Sequence, residues 1–505
     1  MITHAMRRGG GGWLVALLLA ARLGAAGPGT SDTRILDAAK AGNREAVRLL
    51  VKQRAAVTAV EADGTTALHW AVRGGDIETV RLLVRAGANV KAANRYGVTP
   101  LWLAATNGDA SAIATLLDAG ADANTTLPEG ETTLMTAARV GAVEAMRVLA
   151  ARGASVNAKE RWLGETALMW AAAENHADAV KALIELGADV DVRSTRSTFP
   201  HASPAAENLI TMTFPQGAWT ALMFAARQGA LESARLLADA HAALDLTNPD
   251  GSTATVLAII NGHYDVADML LDRGADPNVA DSVGMTPLYA AIDMRTLPWM
   301  QGRPAPKASG RLEPLDVVRK LLARGANPNV PLKKPLLQRQ HTVGDRLLSE
   351  GTTPFIRAAR FGDLPVMRLL LDHGANPHLT QKNHTTALMM AAGFGTDHVT
   401  DEFYQDKGTE DDAVEAVKLC LERGLDVNGF NDNGDTALHR ASGDRIIRFL
   451  ISQGADLTLK NKQRRTPLDE AVERKDRNGV VRFPKAVEAL RGSTTSPITD
   501  ASRPH

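Results

Sequence analysis

The chain holds one cysteine, Cys420, in 505 residues, so no intrachain disulfide can staple it and no Cys-x-x-Cys-His haem motif can form. Aromatic residues are scarce at 4%, which leaves small aliphatic side chains to fill the core. Net charge is missing too: 57 basic residues cancel 57 acidic ones, whereas a general nucleic-acid binder needs a surplus of Lys and Arg. The apolar run from Trp13 to Ala21 is nine residues, too short for a helix that crosses a bilayer, so no stable membrane span is expected in the mature chain. Catalytic signatures are absent as well. There is no His-Glu-x-x-His helix, no Gly-x-Ser-x-Gly elbow and no phosphate-cradling glycine loop, so neither cofactor nor metal is expected.

The N-terminus carries a recognisable pattern. Arg7 and Arg8 precede the apolar run, and Gly24-Ala25-Ala26 offers the small residues a signal peptidase accepts. Residues 1–26 therefore read as a signal peptide and 27–31 as a linker, which places the mature chain in the periplasm or outside the cell. Arg22, close behind the apolar run, fits this less well, and a disordered glycine-rich tail is the alternative. No cysteine lies near the cleavage region to carry a lipid.

From there the chain repeats. The stretch Asp63 to Val98 reads DGTTALHWAVRGGDIETVRLLVRAGANVKAANRYGV, and nearly every later segment is a variant of it. Thr66 is placed to cap a helix burying Leu68, Ala71 and Val72; Gly74-Gly75 breaks the chain; Ile77, Val80, Leu83 and Val84 have amphipathic helical spacing; Gly87 follows as a left-handed cap. Equivalent threonines recur at Thr99, Thr132, Thr166, Thr220, Thr253, Thr286, Thr353, Thr386, Thr436 and Thr466. Their spacings of 33, 33, 34, 54, 33, 33, 67, 33, 50 and 30 give a period of 33, broken by insertions and one deletion.

That period, the TALH, TPLW, TALM and TPLY openings and the GANV, GADA, GASV, GADV and GADP endings resemble the ankyrin repeat. The resemblance covers residues 32–492 and implies an all-α solenoid of about twelve repeats. Their bounds fall near 32–62, 63–95, 96–128, 129–162, 163–216, 217–249, 250–282, 283–350, 351–383, 384–432, 433–462 and 463–492. It further implies paired helices joined by β-hairpin fingers. Residues 493–505, rich in Ser, Thr and Pro, are expected to be a disordered tail. The segment ADAHAALD lacks the usual glycine and is expected to bend the stack near His241, while the deletion between Ala441 and Ile447 must clip a helix or its turn.

Four insertions interrupt the array. Arg193 to Gln216 and Pro331 to Glu350 lengthen fingers; Arg295 to Leu312, which is basic, and Thr396 to Asp412, which is acidic, fall between paired helices. The last two emerge from equivalent positions two repeats apart, and are either a charge clamp or two independent solvated loops.

In arrays of this kind the finger tips and the end of the first helix line a concave groove that contacts partners. Here those positions hold Arg73, Arg139, Arg227 and Arg360, with Phe361 alongside, and Tyr96, Trp162 and Trp219 in the fingers. Trp, Tyr and Arg dominate interface energetics, which makes these eight the expected partner-binding residues. Trp70, Trp102 and Trp170 read instead as packing between repeats, and His176 and His263 as caps of second helices. The function expected is a non-catalytic, monomeric scaffold for a protein partner, with no nucleic acid bound. A more specific form is an accessory or protective partner of an exported protein. The alternative is a divergent hydrolase built from the insertions, with His201, His341 and His398 as its scattered candidates.

Overall fold

A computed structural model of the protein describes residues 32–196, 217–296, 308–334, 347–393, 409–475 and 481–495. They form twelve helix pairs, a short inner helix followed by a longer outer one, as in Ala67–Arg73 with Ile77–Arg85. Each inner helix packs on the inner helix of the next repeat, and each outer on the next outer. One apolar core runs from Ile35 to Leu490 without interruption.

Local chemistry sets the start of every inner helix but the first, where Thr33 makes no side-chain cap bond. All eleven repeat threonines hold extended backbone, and each hydroxyl accepts the N–H three residues on, as Thr66 does from His69. His69 completes the cap. Its Nδ1 accepts from the Thr66 N–H at 3.2 Å, so Nε2 carries the proton and donates to the Val98 carbonyl of the next repeat at 3.0 Å. His439 repeats the device with Arg465. Where methionine replaces the histidine, Met135 Sδ still accepts from Thr132 N at 3.4 Å, but a thioether has no N–H to send across.

Two further ties join neighbours. On the outer side, asparagine side chains act as spare peptide groups: Asn329 donates to the Gly374 carbonyl at 2.9 Å and accepts from Asn376 N at 2.7 Å. Asn124, Asn157, Asn278 and Asn428 do the same. Asp191 and Asp245 at this position accept but cannot donate. On the finger side, single backbone bonds such as Arg95 N to Asp63 O at 2.6 Å step from one finger to the next.

The fingers are tighter than two-stranded hairpins. Among the described residues the β pairing amounts to four isolated bridges, Val60 with Thr66, Thr126 with Thr132, Phe430 with Thr436 and Lys475 with Val481. Backbone donors that could extend a ladder are already taken. Asn94 Oδ1 accepts from Tyr96 N and Val98 N, and the buried Glu160 does the same for Trp162, Leu163 and Glu165.

Three departures resolve differently from expectation or sharpen it. His241 takes the left-handed conformation itself, φ +62, where its relatives use glycine, and the bonds that end the helix stay intact, so no bend is needed. The deletion clips the inner helix to Ala437–Arg440, and the Arg474 guanidinium donates to the carbonyls of His439, Arg440 and Ala441 left exposed by the lost turn. The final helix runs Pro484–Thr495, three residues beyond the expected end of the array at 492. Residues 496–505 lie outside the described set.

One finger is pH-sensitive. Asp281 is buried and accepts from Val283 N and Met285 N, where other fingers use Asn94, Asn248, Asn431 and Asn461. Burial pushes its pKa up to about 6. A carboxyl raised on folding binds its proton more tightly in the native state, so stability falls as pH climbs from about 4 through about 6. Asp281→Asn should therefore raise stability by about 1–3 kcal/mol at pH 7.5, with the gain vanishing below about pH 4, read as the difference in thermal midpoints.

Candidate partner-binding surface

The residue just before each cap threonine, and those four and seven after it, meet on the outward side of the inner helices. Positions four and seven are three apart, hence neighbours on one helical face, and the extended residue before the cap folds over them. In the repeat capped by Thr132, Glu131 accepts from the Thr136 hydroxyl at 2.7 Å and pairs with Arg139 at 3.3 Å. In the next, Glu165 accepts from the Trp170 indole at 2.9 Å. After the first insertion, Trp219 packs on Phe224 with ring centroids 5.3 Å apart, and Arg227 lies 5.3 Å from the Trp219 centroid.

Cations also rest on these rings, Lys40 and Arg139 from the preceding repeat and Arg73 from the same helix. Lys40 and Arg73 flank the Trp70 ring at 4.9 and 5.3 Å, and Arg139 sits 5.2 Å from the Trp170 centroid. Trp70 and Trp170 are half-buried: they pack against the core, as their place in the helix suggests, and also turn a ring toward these cations. Their position, four after the threonine, was the available signal. Phe224 and Lys40 belong to the same surface and were missed for the same reason.

Of the expected contact residues, Arg73 and Arg227 are exposed, Arg139 is partly exposed, and Tyr96 and Trp162 stand out at 60% and 69% exposure. Trp219 is half-buried against Phe224 and belongs to the inner face, not to a finger tip. Arg360 and Phe361 are corrections: they are 2% and 6% exposed and unavailable to a partner as the chain stands. The cause is Arg357, the residue four after its threonine, which turns inward. Its Nε donates to Asp293 at 2.8 Å, its Nη1 to Thr296 at 2.8 Å, and its guanidinium stacks 4.0 Å from the Phe361 centroid. Arg360 donates to the Gly393 carbonyl, and Arg295 forks onto Asp363. The surface is open over the first repeats and filled by a charge network at this point.

The flanking groups serve this surface. His176 and His263 stand at the N-cap position of their outer helices but do not cap them; their Nε2 atoms bond the carbonyls of Arg139 and Arg227 in the preceding repeat, at 3.0 and 2.9 Å. Burial keeps the His263 pKa below the usual histidine value. Cys420 is fully buried, and burial lifts its thiol to about 12, so it is inert core. His201, His341 and His398 lie outside the described residues, as do the centres of all four insertions. Among the described residues no cluster of His, Cys, Asp and Glu could hold a metal, and no helix is long and apolar enough to cross a membrane.

Open and filled sections should respond differently to mutation. Trp162→Ser should change stability by less than about 0.5 kcal/mol, whereas Arg357→Ala, which strands Asp293, should cost about 3–5 kcal/mol, both measured by urea unfolding.

Comparison with known proteins agrees with the geometry. The family model described as ankyrin repeats (3 copies) matches residues 35–127, 101–194, 202–281, 222–299, 307–408 and 409–483. The chain is similar to the ankyrin repeat and KH domain-containing protein mask-1 of Caenorhabditis elegans, 34% identical over 269 residues, covering 48% of this chain and 10% of that protein. It is likewise similar to the B-cell lymphoma 3 protein homolog of Mus musculus, 33% identical over 263 residues, covering 51% of this chain and 48% of the relative. The chain thus spans half or less of the length of these relatives. Among solved structures, the human ASB11 ankyrin repeat domain is 30% identical, covering 48% of this chain and 98% of that one with a TM-score of 0.40. Ankyrin repeats are generally modules of protein–protein interaction. With family-model matches from residue 35 to residue 483 and twelve helix pairs in register, this chain belongs to the ankyrin repeat family.

Proposed function

We propose that the chain is a non-catalytic scaffold that binds a protein partner along the inner face of its first six repeats, in an exported compartment. The observation that carries the reading is the exposed set of cations resting on half-buried rings, Lys40 and Arg73 on Trp70, Arg139 on Trp170, and Arg227 on Trp219. A ring held by its neighbours and capped by a cation loses little conformational freedom on binding, and Trp and Arg are the residue types that most often anchor interfaces. Tyr96 and Trp162, projecting from nearby fingers, add exposed aromatic area on the same half of the array. Exposed tryptophan with no partner is avoided on surfaces, which favours contact as the role of Trp162. Export rests on Arg7, Arg8, the apolar run after them and the small residues at 24–26, and an accessory or protective role toward another exported protein is its natural form.

The test is affinity capture from the exported fraction, with the native chain and with a variant carrying alanine at Arg73, Arg139, Trp162, Trp219 and Arg227. A partner should be retained by the native chain and lost from the variant, whose thermal midpoint reports that it is folded. Equal recovery with both baits would remove the inner face from consideration.

A further inference from the structure

The position seven after each cap threonine forms one row along the inner face. From the first repeat it reads Lys40, Arg73, Thr106, Arg139, Ala173, Arg227 and Ile260. That row carries four cations and no anion over seven repeats, although the whole chain is neutral. The carboxylates of the same face, Asp32, Asp37, Glu131 and Glu165, stand beside the row, at the places just before and four after the threonine. Glu61 pairs with Lys40 and Glu131 with Arg139, both from the finger side, and Glu165 is turned onto the Trp170 indole. Among the described residues Arg73 and Arg227 have no carboxylate partner, and each rests on a ring that holds its guanidinium in place.

In the eighth repeat the row changes sign. The equivalent residue is Asp293, which is bonded to the buried Arg357, and the next place in the row is the buried Arg360. The cationic row therefore has a definite end, where its own chain supplies the opposite charge.

We propose, building on the inner-face reading above, that the occupant of this row is an acidic, extended segment of a partner protein. Its carboxylates would take the place toward Arg73 and Arg227 that Asp293 takes toward Arg357, and would share Arg139 with Glu131. Those three arginines occur in every second repeat. At ~10 Å per helical layer they lie about 20 Å apart, which an extended chain spans in about six residues. The small residues between them, Thr106 and Ala173, leave room for the intervening side chains. A nucleic-acid strand fits less well, because a chain with 57 basic and 57 acidic residues lacks the surplus of Lys and Arg that neutralising successive phosphates needs.

The experiment is selection of displayed random 13-residue peptides on the full chain, followed by fluorescence anisotropy of the enriched sequences at two salt concentrations. Native chain is compared with Arg73→Glu/Arg227→Glu, with Arg73→Lys/Arg227→Lys and with Trp70→Ala/Trp170→Ala, each checked for an unchanged thermal midpoint. The proposal expects peptides rich in Asp and Glu at about six-residue intervals. Their binding should weaken with salt, fall on the order of tenfold or more for each reversed charge, and largely survive the lysine variant. Neutral or basic peptides whose binding is still lost in the tryptophan variant would overturn the acidic partner while leaving the inner face as the binding surface. Peptides indifferent to all three variants would overturn both. Preferential binding of a 13-nucleotide single strand, lost on charge reversal, would also overturn the proposal.

Discussion

Every feature of this protein follows from a single shortage: one repeat has too little chain to cover its own apolar face. The helix pair Ala67–Arg73 and Ile77–Arg85 buries Leu68, Val72, Val80 and Leu83 only because a neighbour lies on each side. Hydrophobic burial drives the stacking but does not by itself fix register, since alanine and leucine faces can slide. Register comes from directional bonds. His69 to Val98, Asn329 to Gly374 and Asn376, and the finger-to-finger amides each reach a defined atom in the next repeat. Each is worth on the order of 1 kcal/mol, and repeated across the joints they hold the inner helices in line.

Alignment of the inner helices is what turns scattered residues into a surface. Arg73, Arg139 and Arg227 are far apart in sequence, yet a fixed repeat geometry places them in one row, and His176 and His263 fasten the backbone beneath two of them. The same geometry ends the surface. Where Arg357 replaces an aromatic residue, the row folds inward around Asp293 and Phe361 and becomes packing. Open and filled sections are thus made from one repeat position, separated only by which side chain occupies it.

Much of this was legible in the sequence, because the cap threonines, the turn glycines and the apolar spacing are local signals with local causes. The period gave the fold, and the deletion near Ala441 correctly announced a clipped helix. Less legible was anything that depended on the adjacent repeat. His241 holds the left-handed conformation usual for glycine with the helix-ending bonds intact, because the surrounding helix ends over-determine its conformation. Arg360 and Phe361 share their place with exposed residues and are still buried: Phe361 lies under Arg357, which Asp293 and Thr296 hold from 60 or more residues away, and Arg360 bonds the Gly393 carbonyl of the next repeat. Trp70 and Trp170 pack against the core as the sequence implies, and only the cations from neighbouring repeats show that they also belong to a face. The short β-hairpin fingers that the family resemblance implies are held, among the described residues, as turns with isolated bridges, because side-chain acceptors such as Asn94 and Glu160 use the donors a ladder would need.

The central claim is that the partner lies on the inner face of the early repeats. Footprinting by hydroxyl-radical oxidation of side chains, read by mass spectrometry with and without bound partner, tests it most directly. Trp70 and Trp170 should lose reactivity in the complex. Unchanged reactivity at both, with protection appearing instead around outer-helix residues such as Leu49, would contradict it.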